Sequence, residues 1–120
     1  MRNLPNKKGY ANHIKVIGQD LYAVEHIRGD DSNIAMVILK DGSYYIGLAL
    51  LSPLDQYCRR LGHEISVGRA LHTAAYDPGN YEGKLWPQGE NPLVGRELGE
   101  TCRKIMYTYA PWEWHRSVMY

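Results

Sequence analysis

The chain has 120 residues, and its 14 Lys and Arg oppose 13 Asp and Glu, which leaves a formal net charge of +1 at pH 7. This length is typical of one domain around one core, so we interpret residues 1–120 as a single domain. The near-neutral charge gives no global field for a long polyanion, which argues against long nucleic acid as a partner and leaves only a local anion site.

The N-terminal residues are polar and predict a loose arm over residues 1–12. They lack the apolar run of a signal peptide, and no later run approaches the roughly 20 apolar residues of a membrane span. We therefore expect a cytoplasmic protein without a membrane partner. Cys58 and Cys102 lack the spacing of a zinc site and predict two reduced core thiols.

Residues 13–51 have the pattern of an antiparallel sheet. Asp41 and Gly42 form the dipeptide that most strongly indicates a hairpin between two apolar runs. The predicted strands cover residues 13–17, 20–28, 33–40 and 43–50. Alternation in the second of these predicts one shared face for Leu21, Ala23, Glu25 and Ile27.

A helix signal follows within residues 47–71, which read GLALLSPLDQYCRRLGHEISVGRAL. Ser52, Pro53 and Asp55 have the order of an N-cap, a first-turn proline and an acidic third position, and predict a helix over residues 52–77. Apolar and small side chains recurring at helical steps predict the face that lies on the sheet: Leu54, Tyr57 or Cys58, Leu61, Ile65, Gly68, His72 and Ala75.

The same helix carries a strip of small residues at four-residue intervals, Gly62, Ser66 and Ala70. Such a strip lets another backbone approach closely, which offsets the lower helix propensity of Gly. Two interpretations remain open. The strip contacts the second helix of the same chain, or it forms a twofold contact between subunits.

Residues 80–90 form a Gly- and Pro-bearing loop with Tyr81 and Trp86, which we expect to act as a lid.

Asn91 before Pro92 predicts the cap of a second helix over residues 91–110. Its predicted inward stripe consists of Val94, Leu98, Cys102, Ile105 and Tyr109. We expect residues 111–120 to form a tail, in which Trp112 and Trp114 pin the C-terminus onto the body of the protein or onto a neighbouring subunit in preference to stacking on a base. The predicted fold class is α+β, an oligomeric antiparallel β-meander of three to five strands followed by two packed helices.

Cationic side chains on the two helices form the candidate binding site. Arg side chains contact phosphate oxygens in bidentate geometry. A solvated, ion-paired face is an equal competitor on the first helix and is favoured on the second, where Arg96 can pair with Glu100. We place the pocket where the helices cross, beside the backbone donors near Asn91. An aromatic side chain would stack on a base. The predicted ligand-binding residues are Tyr57, Arg59, Arg60, His63, Arg69, Trp86, Asn91, Arg96 and Arg103.

Catalytic and metal-binding patterns are missing from the sequence. The five histidines stand at positions 13, 26, 63, 72 and 115, and no pair has HxE or HExxH spacing. We therefore predict no catalytic residue, no metal site and no cofactor.

The segment at residues 47–71 resembles small phage accessory proteins. It contains a strand ending in Gly-x-Ala, the Ser-Pro-x-Asp cap, Arg59, Gly62 and Gly-Arg-Ala at positions 68–70. The order of antiparallel strands and two helices over about residues 20–110 is similar to the phage anti-Thoeris sponge family.

This resemblance implies a non-catalytic anti-defence protein of the host cytoplasm that sequesters a cyclic ADP-ribose isomer or a cyclic oligonucleotide. It implies a homo-oligomer, dimeric or larger, with ligand held at subunit junctions. It also implies that the ligand phosphates contact Arg59, Arg60 and Arg96. The base would then stack on Tyr57 or Trp86.

Two other functions compete with this interpretation. The first is a protein-binding inhibitor or adaptor that uses the Trp-rich tail and the small-residue helix face. The second is a nucleotide hydrolase with His63 or His115 as a base, which ranks last because neither has a visible catalytic partner.

Overall fold

The computed structural model describes residues 7–28, 32–50, 59–80 and 82–109, and within them the side chains of residues 7–11 and 59–61 lie outside the description. The fold is α+β. Its described elements follow the order α1 (Lys7–Ile17), β1 (Leu21–Arg28), β2 (Ser32–Leu39), β3 (Ser43–Leu50), α2 (Arg59–Tyr76), a short 3-10 turn (Pro78–Asn80), β4 (Gly83–Lys84) and α3 (Gly95–Tyr107).

The strands form one antiparallel sheet in the order β1-β2-β3-β4. The Asp41-Gly42 turn is confirmed. Gly42 has a φ of +90° and its amide donates to Leu39 O at 3.0 Å, while the Asp41 carboxylate accepts from the Ser43 amide at 2.9 Å. The three strands predicted at residues 20–28, 33–40 and 43–50 are therefore correct in type and close in bounds.

Both faces of the sheet are covered, so every residue of β2 is buried. Successive side chains of β2 point to opposite faces of the sheet. Ala35 and Val37 therefore lie in one core, and the other core contains Ile34, Met36 and Ile38. The first core contains side chains of α2, with Ile14 and Ile17 of α1 at its margin, and the second contains Leu98, Cys102 and Met106 of α3. The molecule has three layers.

The prediction of two packed helices is wrong, because α2 and α3 lie on opposite faces of the sheet. The small-residue strip of α2 instead lies on β3, at Gly47. A Cβ atom at that position would lie 1.9 Å from Ser66 O and 2.7 Å from Ala70 N, so helix and strand backbones are in direct contact. The strip therefore packs on the sheet of its own chain, which neither of the two interpretations anticipated.

Because of this contact, the face of α2 that lies on the sheet differs from the predicted face. Its buried residues are Gly62, Ser66, Val67, Ala70, Leu71 and Ala74, whereas Gly68 is half-buried and His72 is exposed. At the described positions the predicted inward stripe is wrong, because the close approach at Gly47 turns Ser66 and Ala70 toward the sheet. The remaining predicted positions lie outside the described side chains: Leu54, Tyr57, Cys58 and Leu61. For α3 the predicted Leu98 and Cys102 are buried, but Val94 and Tyr109 are exposed.

The predicted N-terminal arm and the predicted strand at residues 13–17 are also wrong from Lys7 onward, where α1 forms. Ile14 and Ile17 stand three residues apart and pack on the core beneath α2, whereas Val16 is 52% exposed. That spacing is helical. One further correction concerns β1, where an irregularity between Leu21 and Ala23 turns Leu21 to the α2 face, away from Ile27.

The predicted lid is part of the sheet. β4 pairs Lys84 with Ser43 and Gly83 with Tyr44, and Trp86, only 5% exposed, contacts Tyr22 edge-on with ring centroids 5.0 Å apart. These contacts anchor the segment to the sheet. Trp86 therefore belongs to the core of the α3 face.

The start of α3 differs from the prediction as well. The helix begins at Gly95 after an extended Val94, and not at Asn91. Tyr22 OH donates to Leu93 O at 2.7 Å, which ties the extended segment before the helix to β1. The predicted start of the first helix, at residues 52–58, lies outside the described residues, as do Tyr81 and the tail with Trp112 and Trp114. In the described part of the chain, no helix has both the length and the apolar composition required to cross a membrane.

Candidate anion-binding site

Polar and cationic side chains meet where the end of β1 passes beneath the N-terminal half of α2. His26 lies opposite Ala35 and Arg28 opposite Asn33 in the sheet register, so both project toward α2. His63 of α2 meets them there, with its ring centroid 4.2 Å from that of His26 and the two rings tilted by 32°. We refer to His26, Arg28, Asn33, His63 and Ser66 as the histidine cluster.

The local sequence explains why these groups share one place. On β1 the α2 face reads Val24, His26 and Arg28, so it changes from apolar to cationic toward the end of the strand. On α2 the face on the sheet changes in the same direction, from Leu71 at its apolar end to His63. The polar ends of the two elements therefore coincide.

A buried hydrogen bond fixes the two elements at this point. Ser66 is 0% exposed and Asn33 2%. The Ser66 hydroxyl lies 2.9 Å from Asn33 Oδ1 and 3.0 Å from the His63 carbonyl oxygen, so its one proton is shared between two acceptors. Because buried polar groups are costly when unpaired, this bond specifies how α2 sits on β2. Ser66 is consequently not placed as an exposed nucleophile.

One polar atom of the cluster has no hydrogen-bond partner in the structure. His63 Nε2 is buried and has no hydrogen-bond partner among the residues that the structure describes. Most buried polar atoms in proteins are paired, so this nitrogen is a candidate contact for a group from outside the described residues. Ser32 Oγ is a second such atom, but Ser32 projects to the opposite face of β2.

The electrostatic setting favours neutral imidazoles. Burial lowers the pKa of His63 below its usual range, His26 and Arg28 add to this effect, and Glu64 opposes it. Burial likewise lowers the pKa of His26, with Arg28 acting in the same direction and Glu25 against it. His26 is exposed when its whole surface is considered. Its imidazole is nevertheless partly shielded from water, because the neighbouring His63 ring covers one of its sides.

Among the predicted site residues, His63 belongs to the histidine cluster. Arg69 lies farther along α2, is exposed, and donates from Nη1 to Leu48 O on β3. Arg59 and Arg60 belong by their backbones to the first turn of α2, at the same end of the helix, and their side chains lie outside the described residues, as does Tyr57 altogether.

The remaining predicted residues lie elsewhere. Asn91 is exposed before α3, and Arg96 and Arg103 are exposed on α3. The bond from Tyr22 to Leu93 places the start of α3 at the Leu21 end of β1, whereas His63 lies at the Arg28 end and on the other face. The predicted convergence of Arg59, Arg60 and Arg96 near Asn91 is therefore wrong, because the sheet separates the two helices.

A cavity of about 350 Å³ opens at the other end of the sheet. Its cations are already paired, since Lys84 lies 4.0 Å from Asp41 and Lys40 lies 3.6 Å from Asp20. Trp86, Glu90 and Pro92 are among its other lining residues. Carboxylates therefore offset the charge of both lysines in this cavity, and we take the histidine cluster as the candidate site.

Sequence reasoning missed His26, Arg28 and Asn33. The sequence did contain a pattern that could have indicated them. His26 and Arg28 stand two residues apart at the end of the predicted strand, so they share the face opposite to Glu25 and Ile27. Within the ranges that the structure describes, no group of three or more His, Cys, Asp or Glu side chains is placed to hold a metal ion. No protein-family model, curated protein or solved structure matches the chain significantly.

Proposed function

We propose that this protein binds a small phosphorylated nucleotide at the histidine cluster and releases it unchanged. The observation that carries the proposal is the buried Nε2 of His63, which has no hydrogen-bond partner among the described residues, on a ring that lies against His26 and near Arg28. A guanidinium and two imidazoles are all suited to phosphate oxygens, and each charge-assisted hydrogen bond contributes about 1.5 to 3 kcal/mol.

The proposed ligand is a cyclic ADP-ribose isomer or a cyclic oligonucleotide, and the proposed role is sequestration of that signal, as in the phage anti-defence sponges that the sequence resembles. Sequestration requires tight binding and no turnover. A nanomolar dissociation constant corresponds to about −12 kcal/mol, more than three phosphate contacts supply. A homo-oligomer that completes the site with groups from a second subunit, including Arg59 or Arg60, would provide the remainder.

Thermal-shift screening against cyclic ADP-ribose isomers and cyclic di- and trinucleotides tests the proposal. A ligand at one hundred times its dissociation constant adds about 2.7 kcal/mol to the free energy of unfolding, a shift of several degrees in a domain of this size. Heat release and mass analysis of a hit then show whether the nucleotide returns intact.

Matched arginine variants locate the site. Arg28→Ala should weaken binding of the hit by about 30-fold, the loss of one charge-assisted contact at a phosphate. Arg96→Ala removes an equally exposed cation from the opposite side of the sheet and should leave affinity unchanged. The reverse pattern would place the ligand on α3, and recovery of a hydrolysed nucleotide would indicate an enzyme. No shift with any nucleotide would favour the protein-binding alternative.

A further inference from the structure

We propose that anion binding at the histidine cluster is coupled to proton uptake by the His26–His63 pair, so that affinity for the ligand rises as the pH falls below neutrality. This inference rests on the proposed function, because it concerns the regulation of the same site.

The geometry of the pair carries the inference. The two rings lie against each other, tilted by 32° with centroids 4.2 Å apart, and Arg28 lies at the next same-face position of β1. One ring has a buried nitrogen with no hydrogen-bond partner among the described residues. A neutral imidazole offers only one N–H, whereas an imidazolium offers two. Protonation would therefore turn His63 Nε2 into a charged donor if that nitrogen is the unprotonated one.

The charged neighbours explain why an anion is needed for this change. β1 contributes Arg28, which opposes protonation, and Glu25 acts in the other direction on His26. α2 contributes Glu64 beside His63, and the side chains of Arg59 and Arg60 lie outside the described residues. β2 and β3 contain no Asp, Glu, Lys, Arg or His.

A bound anion reverses the balance. Burial and Arg28 favour the neutral form of both rings when the site holds no anion, but an oxyanion within hydrogen-bond distance favours the charged form of an imidazole. Two imidazolium rings at this separation would repel each other, so the pair takes up about one proton as a unit. Uptake of one proton makes affinity rise by up to about tenfold for each pH unit.

Histidine NMR titrations with sodium sulfate provide the first test, because sulfate remains a dianion over the whole range from about pH 5.5 to 8. The Cε1–H resonances of His26 and His63, assigned with His26→Gln and His63→Gln, should titrate at higher pH in sulfate than in sodium chloride of equal ionic strength. The His72 resonance, at the far end of α2, should not respond to sulfate. Unmoved titrations of His26 and His63 would overturn the coupling.

Calorimetry with the nucleotide hit, or with ADP-ribose if the screen gives none, provides the second test. Binding should be about tenfold tighter at pH 6.0 than at pH 7.5, and the apparent enthalpy should depend on the buffer because the complex takes up a proton. His26→Gln/His63→Gln should remove both effects.

The outcomes separate the two proposals. Nucleotide binding with the same affinity at both pH values and in every buffer overturns the coupling and leaves the proposed function intact. A sulfate response of the two histidines without binding of any nucleotide supports the coupled anion site and overturns the nucleotide proposal. Absence of both sulfate and nucleotide binding overturns both.

Discussion

At the scale of single residues, Gly47 determines how α2 meets the sheet. It allows the helix backbone to contact β3 directly at Ser66 and Ala70. That approach brings Ser66 within hydrogen-bond distance of Asn33 and places His63 over His26. One missing side chain therefore connects close packing with the geometry of the candidate site.

Gly47→Ala should destabilise the protein by about 3 kcal/mol or more, because the added Cβ would meet helix backbone that cannot move independently. Urea denaturation measures the change. Gly99→Ala is the matched control, since a Cβ at this α3 position meets nothing within 4 Å and the substitution should stabilise the helix by up to about 1 kcal/mol. Equal effects of the two variants would contradict the proposed backbone contact.

The two histidines of the cluster predict a loss of stability in mild acid. Their pKa values are lowered in the folded protein, so the unfolded chain binds more protons once the pH falls through 6.5, the usual pKa of a histidine. The free energy of unfolding should therefore be highest above pH 7 and decrease toward pH 5.5.

Urea denaturation at several pH values measures this dependence, and His26→Gln/His63→Gln isolates the contribution of the pair. The double variant should lose less stability than the wild-type protein between about pH 7.5 and 5.5. An identical pH dependence in both proteins would show that these histidines do not cause it.

At the scale of elements, α1 shows how an ambiguous pattern is decided by packing. The residues HIKVI alternate and so predict a strand, but Ile14 and Ile17 also stand at helical spacing. The core beneath α2 accepts these two side chains and leaves Val16 exposed. Burial on a neighbouring element thus selects the helix.

Ile14→Ala should lower the free energy of unfolding by about 1 to 2 kcal/mol, as expected for a partly buried aliphatic side chain. Val16→Ala, on the solvent side of the same helix, should change it by less than about 0.5 kcal/mol. Thermal unfolding compares them. A larger loss in the Val16 variant would mean that α1 docks through its other face.

At the scale of the whole molecule, β2 joins two cores. Its alternate side chains are buried under α2 on one face and under α3 on the other, so the loss of either layer exposes one side of the central strand. We therefore expect the layers to unfold together, as in most single domains of this size.

Cys102 reports on this cooperativity. It is fully buried between α3 and the sheet, and burial, with a smaller contribution from Glu25, raises its pKa to about 12. In a Cys58→Ser background, Cys102 should not react with a disulfide reagent at pH 8 until urea unfolds the protein, because thiolate is the reactive species. Rapid reaction without denaturant would indicate that the α3 layer opens independently.

Local sequence patterns were sufficient to predict several elements of the fold. The Asp41-Gly42 turn, the three long strands, the end of α2 near residue 77 and the burial of Leu98 and Cys102 follow from turn chemistry and periodicity, which act over a few residues. The sequence also singled out His63, which the structure places in the histidine cluster, and its role there stays a prediction.

Which face of the sheet each helix covers depends on tertiary packing and does not follow from local patterns. Helical periodicity does not state which face of a sheet a helix covers, and the sequence-based expectation therefore placed Arg96 beside α2 when the sheet separates them. The pairing of His26 with His63 likewise requires the β1 register and the close approach at Gly47. Contacts between residues distant in sequence, such as Ser66 with Asn33, were beyond local patterns because their geometry depends on how whole elements pack.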